Sequence, residues 1–270
     1  APLMLVHPAL SDAYEPIIAQ LVAGLTPDNG SPPGVCAVDA LSPSAGSDAP
    51  RQVVAVGEHA YAAARQAFPR AQVQPILVRT LPATAPQGLS RFVAPALVIA
   101  ELRALSPASE TLVFVHRRTV PERLIQQARE AAQAQGLGWE TITVGDLREA
   151  ALAIERIRQA ATPTRAVWVH RDVLSLNPDI LIPPLVRRSW EVGFPVISDD
   201  ADSVERGLLF GLTPDYRALG RAVAVWLHPD HPPGLTDIQW VQRVFNRRTA
   251  RAIGLVPHPA EETHFDVIFD

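Results

Sequence analysis

The sequence predicts an α/β fold, because short apolar runs alternate with longer segments of helical period. Continuous apolar strands that alternate with helices are typical of a parallel sheet covered on both faces. The runs that predict strands are 3–6, 53–56, 75–78, 112–115, 140–144, 166–169 and 195–197. In a parallel sheet, the carboxyl ends of the strands lie along one edge, where ligands bind.

Helical period over 121–136, 147–161 and 179–193 predicts three helices in the middle of the chain. Pro121 suits the first turn of the first of these helices, and Gly136 suits its C-terminal end. Pro183 and Pro184 lie inside the third helix, where we expect them to kink or delay it.

The predicted elements fall into two sets, one ending near residue 80 and one filling 110–200. Segment 81–91, rich in Pro, Gly and Ser, predicts a connector between them, and segment 26–52 predicts an irregular loop around a short strand near 35–38. After residue 200 the pattern predicts a strand and a helix that begins near Pro214. Segment 236–257 predicts a strand followed by a short helix.

Composition excludes several kinds of chemistry. The formal net charge of −4 argues against a nucleic-acid partner, which requires a clustered positive surface. All 24 basic residues are arginine, so Schiff-base and P-loop lysine chemistry are excluded. Cys36 is the only cysteine, and no internal disulfide is possible. No apolar run reaches the length of a membrane span.

The apolar runs end abruptly in polar or ionisable residues. We predict these residues to bind a ligand, since the strand ends of two facing sheets would bring them together at a cleft. They are His7, Glu58, His59, Thr80, His116, Arg117, His170, Arg171, Asp172, Ser198, Asp199 and Asp200. Arg117 or Arg171 suits bidentate binding of a carboxylate. An alternative stays open for Ser198, Asp199 and Thr119, which could each cap a following helix instead.

The C-terminal third resembles a known family of proteins. The residues that carry the resemblance are Pro195–Asp200, Gly207–Gly211, Asp215 with Tyr216 and Gly220, and Asn246 with Ala250 and Gly254. The segments HPAL at 7–10 and AVGEHAYAAA at 55–64 add to it. Together they resemble the ABC-transporter substrate-binding proteins of the tryptophan- and tyrosine-importing type. The family's aspartate–asparagine turn reads His170-Arg171-Asp172 here, so only Asp172 carries over.

The resemblance implies a type I periplasmic-binding-protein architecture of two Rossmann-like α/β lobes with parallel sheets. It implies lobe 1 at 1–87 plus 204–234 and lobe 2 at 88–203 plus 235–270, closing on a ligand. A protein of this kind would bind a small polar solute, amino-acid-like or a carboxylate, for an ABC permease or another membrane partner. We expect a periplasmic, monomeric protein whose leader has been removed, with no cofactor and no enzymatic activity.

Two other functions stay open. The strand-end histidines His7, His59, His116 and His170 suggest a metal or metal-chelate binding protein or sensor, although no short ligand spacing supports it. An α/β enzyme of unknown reaction is the other, because one fold hosts many chemistries. The sequence contains no nucleophile elbow, dinucleotide-binding turn or P-loop.

Overall fold

The computed structural model describes residues 3–9, 14–28, 30–42, 49–227, 233–255 and 263–270. The strands are β1 Leu3–His7, β2 Gly34–Ala37, β3 Gln52–Val56, β4 Gln72–Ile76, β5 Gln87–Val93, β6 Thr111–Arg117, β7 Gly138–Val144, β8 Arg165–Val169, β9 Val196–Ile197, β10 Phe210–Pro214, β11 Gly234–Ile238, β12 Val241–Asn246 and β13 Val267–Phe269. The helices are α1 Glu15–Leu25, α2 Gly57–Ala67, α3 Pro95–Leu105, α4 Glu122–Ala134, α5 Leu147–Gln159, α6 Arg171–Leu174, α7 Pro178–Val192, α8 Ala201–Glu205, α9 Tyr216–Trp226 and α10 Arg247–Ala252.

The chain divides into two compact units. The first comprises 1–92 and 214–240, and the second comprises 93–213 and 241–270. These bounds lie beyond the expected ones at 87, 203 and 234. The reasons are local. Strand β5 runs on to Val93. The region of α8 and β10 stays with the second unit, because Ser198 forms a β-bridge with Gly211 and its N–H donates to Phe210 O at 3.2 Å.

The first unit contains a parallel sheet in the order β2-β1-β3-β4. Val53, Ala55 and Val73 of this sheet are buried against Ala60 and Ala64 of α2. Strands β5 and β11 pair separately in the same unit. The carboxyl ends of β1, β3 and β4 therefore point to one edge.

The second unit contains a parallel sheet in the order β7-β6-β8-β9 and a further sheet in the order β10-β12-β13. Because strand side chains alternate between faces, Val113 and Val167 lie on the face that joins the core with α5 and α7. Phe114 and Trp168 lie on the opposite face, with ring centroids 4.5 Å apart. Both faces are buried, which explains the continuous apolar runs.

The predicted α/β fold with parallel sheets is confirmed. Each of the predicted strands overlaps an observed one, and α4, α5 and α7 match the three predicted helices. Gly136 adopts a positive φ of 73° directly after α4, as a helix stop does. Helix α7 continues through Pro183 and Pro184. The carbonyl groups that these prolines leave without N–H partners belong to the exposed residues Asp179 and Ile180.

Three predicted elements were wrong in their bounds. The strand predicted at 75–78 ends at Ile76, because Leu77 takes a positive φ of 54° and turns the chain. The last five residues of the predicted connector 81–91 belong to β5. The C-terminal segment forms two strands, β11 and β12, before the short helix α10.

Asn246 joins three elements of the second unit. Its backbone N–H donates to Leu209 O at 2.9 Å, and its Nδ2 donates to Val204 O at 2.7 Å. Its Oδ1 accepts from the Thr249 N–H at 2.9 Å and so caps α10. Since Asn246 is 1% exposed, each of these polar groups needs its partner.

Helices α1 and α9 cross at two glycines in the first unit. A Cβ on Gly24 would lie 2.2 Å from the carbonyl oxygen of Arg217, and one on Gly220 would lie 2.5 Å from that of Leu21. Both obstacles are backbone atoms, which cannot rotate away as a side chain does. The close approach therefore requires glycine at both positions.

No helix in the described ranges combines the length and apolar character that crossing a membrane requires.

We predict that Gly24→Ala destabilises the protein by about 1–3 kcal/mol, because the added methyl group forces the helix backbones apart. Urea unfolding followed by circular dichroism measures the change. Gly34→Ala is the matched control, since its Cβ would have 3.9 Å to the nearest heavy atom. Equal stability of the Gly24→Ala protein and the wild type would contradict the predicted clash.

Candidate functional site

The second unit gathers ionisable side chains at the carboxyl edge of its four-stranded sheet. His116 belongs to the end of β6, and His170 and Asp199 follow the ends of β8 and β9. Their exposed fractions are 3%, 1% and 4%. Burying such groups costs free energy unless each has a hydrogen-bonding or charged partner. We call these three residues, with Arg171 and Asp172, the strand-end cluster.

His170 lies at the centre of the strand-end cluster. Its Nδ1 accepts from the backbone N–H of Asp172 at 3.2 Å. Its Nε2 lies 3.5 Å from Oδ2 of Asp199, and Nδ1 lies 3.8 Å from Oδ2 of Asp172. Because Nδ1 acts as an acceptor, the neutral ring carries its proton on Nε2 and points it at Asp199.

Asp199 fixes the start of α6. Its Oδ1 accepts from the backbone N–H of Arg171 at 2.8 Å, and its Oδ2 lies 3.5 Å from Nε of the same arginine. The adjacent hydroxyl of Ser198 donates to Val169 O at 2.8 Å and ties the same turn to the end of β8. The short helix thus begins between two anchored strand ends, and it presents Arg171 and Asp172.

Arg171 and Asp172 remain partly accessible. The exposed fractions of their side chains are 26% and 23%, against 2% for His170. The edge of the sheet therefore presents a guanidinium and a carboxylate on successive residues, and buried groups hold the backbone of both in place.

His116 is held in its neutral form. Its Nδ1 lies 3.1 Å from the carbonyl oxygen of Arg117, to which it donates, and its Nε2 accepts from the Thr143 hydroxyl at 3.3 Å. Burial lowers the pKa of the His116 imidazole below its usual 6.5, although the Arg117 hydrogen bond opposes this. The neighbouring His170 lowers the pKa further, and Glu122 raises it.

Arg117 and Asp200 have structural partners. Nη2 of Arg117 donates to the Gly145 carbonyl at 3.1 Å, and its buried Nε has no partner among the described residues. Asp200 accepts from the backbone N–H of Ser203 at 3.0 Å and caps α8. The capping that the sequence left open for Ser198 and Asp199 therefore belongs to Asp200 in this turn.

The first-unit candidates are more exposed than those of the second unit. Oε1 of Glu58 accepts from the backbone N–H groups of Arg79 and Thr80 at 2.6 and 3.2 Å, which holds the turn after β4. His59 is the third residue of α2, three positions after the end of β3, and it is exposed. His7 lies at the end of β1 and borders an open pocket that Ile18 and Val35 also line.

Sequence reasoning missed two residues of the second-unit edge. The ring of Phe114 lies 5.2 Å from that of His116 and 6.2 Å from that of His170, between centroids. Thr143 supplies the hydroxyl group that His116 accepts from. The signal for Phe114 was its position two residues before His116, which places both on one face of β6. No comparable signal marked Thr143, because it reaches His116 only through the pairing of β7 with β6, which the sequence pattern does not predict.

In the ranges that the structure describes, no three His, Cys, Asp or Glu side chains are arranged to hold a metal ion. The interactions of His170 with Asp172 and Asp199 are those of an imidazole between two carboxylates.

Solved structures with a similar fold are plentiful. A ligand-free, open substrate-binding protein with adhesive properties from Clostridium difficile is 14% identical over 99% of each chain, with a TM-score of 0.71. An ABC domain in complex with L-Trp from Streptococcus pneumoniae is 15% identical over 99% of this chain and 100% of that one, with a TM-score of 0.61. A LacI transcriptional regulator from Lactobacillus brevis is 11% identical over 90% of this chain and 99% of that one, with a TM-score of 0.57.

This is a type I periplasmic-binding-protein fold. No protein-family model matches the sequence, and no curated protein matches it either. At these identities the likeness establishes the type I fold and no more. Solute-binding proteins and transcriptional regulators both have it.

We predict that acid weakens the protein through His116. When folding lowers the pKa of a histidine, the unfolded state binds the proton more tightly than the folded state, so a fall in pH favours unfolding. Its contribution to stability is therefore complete above pH 6.5 and is lost as the pH falls below that value. The slope is at most about 1.4 kcal/mol per pH unit for one proton.

Urea unfolding at several pH values between 8 and 5 measures this slope. His116→Asn keeps a donor near the Arg117 carbonyl but does not titrate, so we expect a shallower slope. His59→Asn, on the exposed side of α2, is the control and should match the wild type. A His116→Asn slope equal to that of the wild type would show that the loss of stability arises elsewhere.

Proposed function

We propose that this protein is an extracytoplasmic solute-binding protein that captures a small polar molecule for an ABC importer. The solute we infer is amino-acid-like or a carboxylate. Arg171 and Asp172 carry this proposal, because these two residues of opposite charge follow the end of β8 with partly exposed side chains, and buried neighbours fix the backbone N–H groups of both. In this proposal the protein is periplasmic and monomeric, with an ABC permease or another membrane partner.

The arrangement suits a zwitterion. A guanidinium binds a carboxylate through two parallel N–H donors, and a carboxylate accepts from an ammonium group. Anchoring by His170 and Asp199 reduces the conformational entropy that binding would otherwise cost. Since Asp199 is only 4% exposed whereas the side chain of Asp172 is 23% exposed, Asp172 is the acceptor that a ligand amine can reach.

The similar solved structures support this proposal at the level of class. Two of the three described above are a substrate-binding protein and an ABC domain with L-Trp. Their similarity extends over nearly the whole of both chains, so the proposal does not rest on one shared segment.

A ligand-responsive regulator is the second candidate, because a LacI transcriptional regulator shares the fold. The net charge of −4 favours the solute-binding protein, since a nucleic-acid partner requires a positive surface. A filter-binding assay with random-sequence duplex DNA at low salt separates the two candidates: retention of DNA would support the regulator.

We predict that an amino acid or a small carboxylate raises the melting temperature. A ligand at a hundred times its Kd stabilises the native state by about 2.7 kcal/mol, and each kcal/mol raises Tm by roughly 2–4 °C in a chain of this size. Differential scanning fluorimetry against amino acids, small carboxylates, nucleosides and divalent metals tests this. A response to metals alone would support the metal-binding alternative instead.

Arg171→Ala and Asp172→Ala should each weaken binding of the responding ligand about 10- to 100-fold, the cost of one charge-assisted hydrogen bond. Isothermal titration calorimetry measures the change. Arg206→Ala and Asp179→Ala are matched controls, because these residues form an exposed ion pair at 2.5 Å elsewhere in the second unit. Full affinity in both strand-end variants would place the ligand elsewhere.

A further inference from the structure

Helix α6 begins with an unusual capping residue. In the described helices that have a side-chain cap, an Asp or Asn oxygen otherwise accepts the first-turn N–H group. These caps are Asp146 on α5, Asn177 on α7, Asp200 on α8, Asp215 on α9 and Asn246 on α10. On α6 the acceptor is the imidazole Nδ1 of His170, 3.2 Å from the Asp172 nitrogen.

An imidazole cap differs from the others in its response to pH. Asn does not titrate, and a solvated Asp titrates far below neutral pH, whereas histidine changes charge in the physiological range. A proton on Nδ1 turns the acceptor into a donor. The N–H group of Asp172 then loses its partner, and two donors face each other across the 3.2 Å contact.

A new acceptor for the protonated ring is already close. Oδ2 of Asp172 lies 3.8 Å from Nδ1, and a small rotation of the side chain brings it within hydrogen-bond distance. Oδ2 of Asp199 lies 3.5 Å from Nε2 and accepts from the ring in either state. Protonation therefore exchanges one hydrogen bond at Nδ1 for another, in which Asp172 contributes its carboxylate instead of its N–H.

Charged and titratable groups face His170 from several elements. The carboxylates of Asp172, on α6, and Asp199, after β9, lie 3.8 and 3.5 Å from its ring nitrogens. The guanidinium of Arg171, with Nε 3.5 Å from Asp199, and the imidazole of His116, on β6, are its other such neighbours. Glu122, from α4, acts on His116.

We propose that His170 is a proton switch that withdraws Asp172 from the ligand-binding edge of the second unit. With the ring neutral, His170 caps α6 and the side chain of Asp172, which is 23% exposed, keeps its place at the edge. With the ring protonated, the carboxylate pairs with Nδ1–H and the first turn of α6 loosens. The consequence for ligand release in acid rests on the proposed function, whereas the switch itself is a property of the protein without ligand.

The test is NMR of the ligand-free protein, labelled with 15N, from pH 8 to pH 5. At pH 8 we expect the His170 ring in the Nε2–H form. On acidification we expect the ring to gain a proton and the Asp172 amide proton to move upfield in the same pH range. Its protection from exchange should fall about fivefold, the equivalent of about 1 kcal/mol for a lost cap.

Two controls belong to the same titration. The amide of Glu149, which donates to the Asp146 carboxylate on α5 at 2.8 Å, should not respond over this range. In His170→Asn the amide oxygen remains an acceptor but does not titrate, so the pH response of the Asp172 amide should disappear. His264→Asn, a variant of an exposed histidine in the same unit, should keep that response.

The proposal is overturned if the His170 ring carries its proton on Nδ1 at pH 8. It is also overturned if the ring stays neutral down to pH 5, or if the Asp172 amide does not follow the ring. These results are obtained without a ligand. A failed ligand screen therefore leaves the switch intact, and an unresponsive Asp172 amide overturns the switch even where a ligand has been found.

Discussion

The hydrogen bond from the Arg171 N–H to the buried Asp199 carboxylate determines the geometry of the second-unit edge. It joins the end of β8 to the end of β9, two strands that pair through only Val167–Val196 and Trp168–Ile197. A carboxylate that is 4% exposed has to be satisfied, and Asp199 is satisfied by the backbone and guanidinium of Arg171 and by the ring of His170. The direction in which α6 leaves the sheet follows from these contacts.

Burial and function impose opposite requirements on this edge. His116 and His170 lie behind it in an aromatic environment that includes Phe114, where an unpaired charge is expensive. Arg171 and Asp172 lie in front of them, partly exposed. The inner residues fix the position of the outer ones, and in the proposed function the outer residues would contact the solute, which is how a site is preorganised.

The sequence was sufficient to predict the fold class, because continuous apolar strands and amphipathic helices are local patterns. It also predicted that His116, His170 and Asp199 lie at strand ends. It could not distinguish Asp199 from Asp200, since adjacent residues in a turn face different neighbours only once α6 and α8 are placed. The family-like residues Asp215, Gly220 and Asn246 have structural roles, as two helix caps and a helix crossing. The strongest sequence signal therefore marked the scaffold, and the weaker strand-end signal marked the candidate site.

The glycine crossing of α1 and α9 also has a consequence for the order of folding. Helix α1 is near the start of the chain, and α9 follows only after most of the second unit. Contacts between segments so distant in sequence cost loop-closure entropy and form late. During synthesis on a ribosome, the side of α1 that faces α9 would stay uncovered while 93–213 is synthesised. This gives residues 93–213 the opportunity to fold first and to shorten the loop that the first unit has to close.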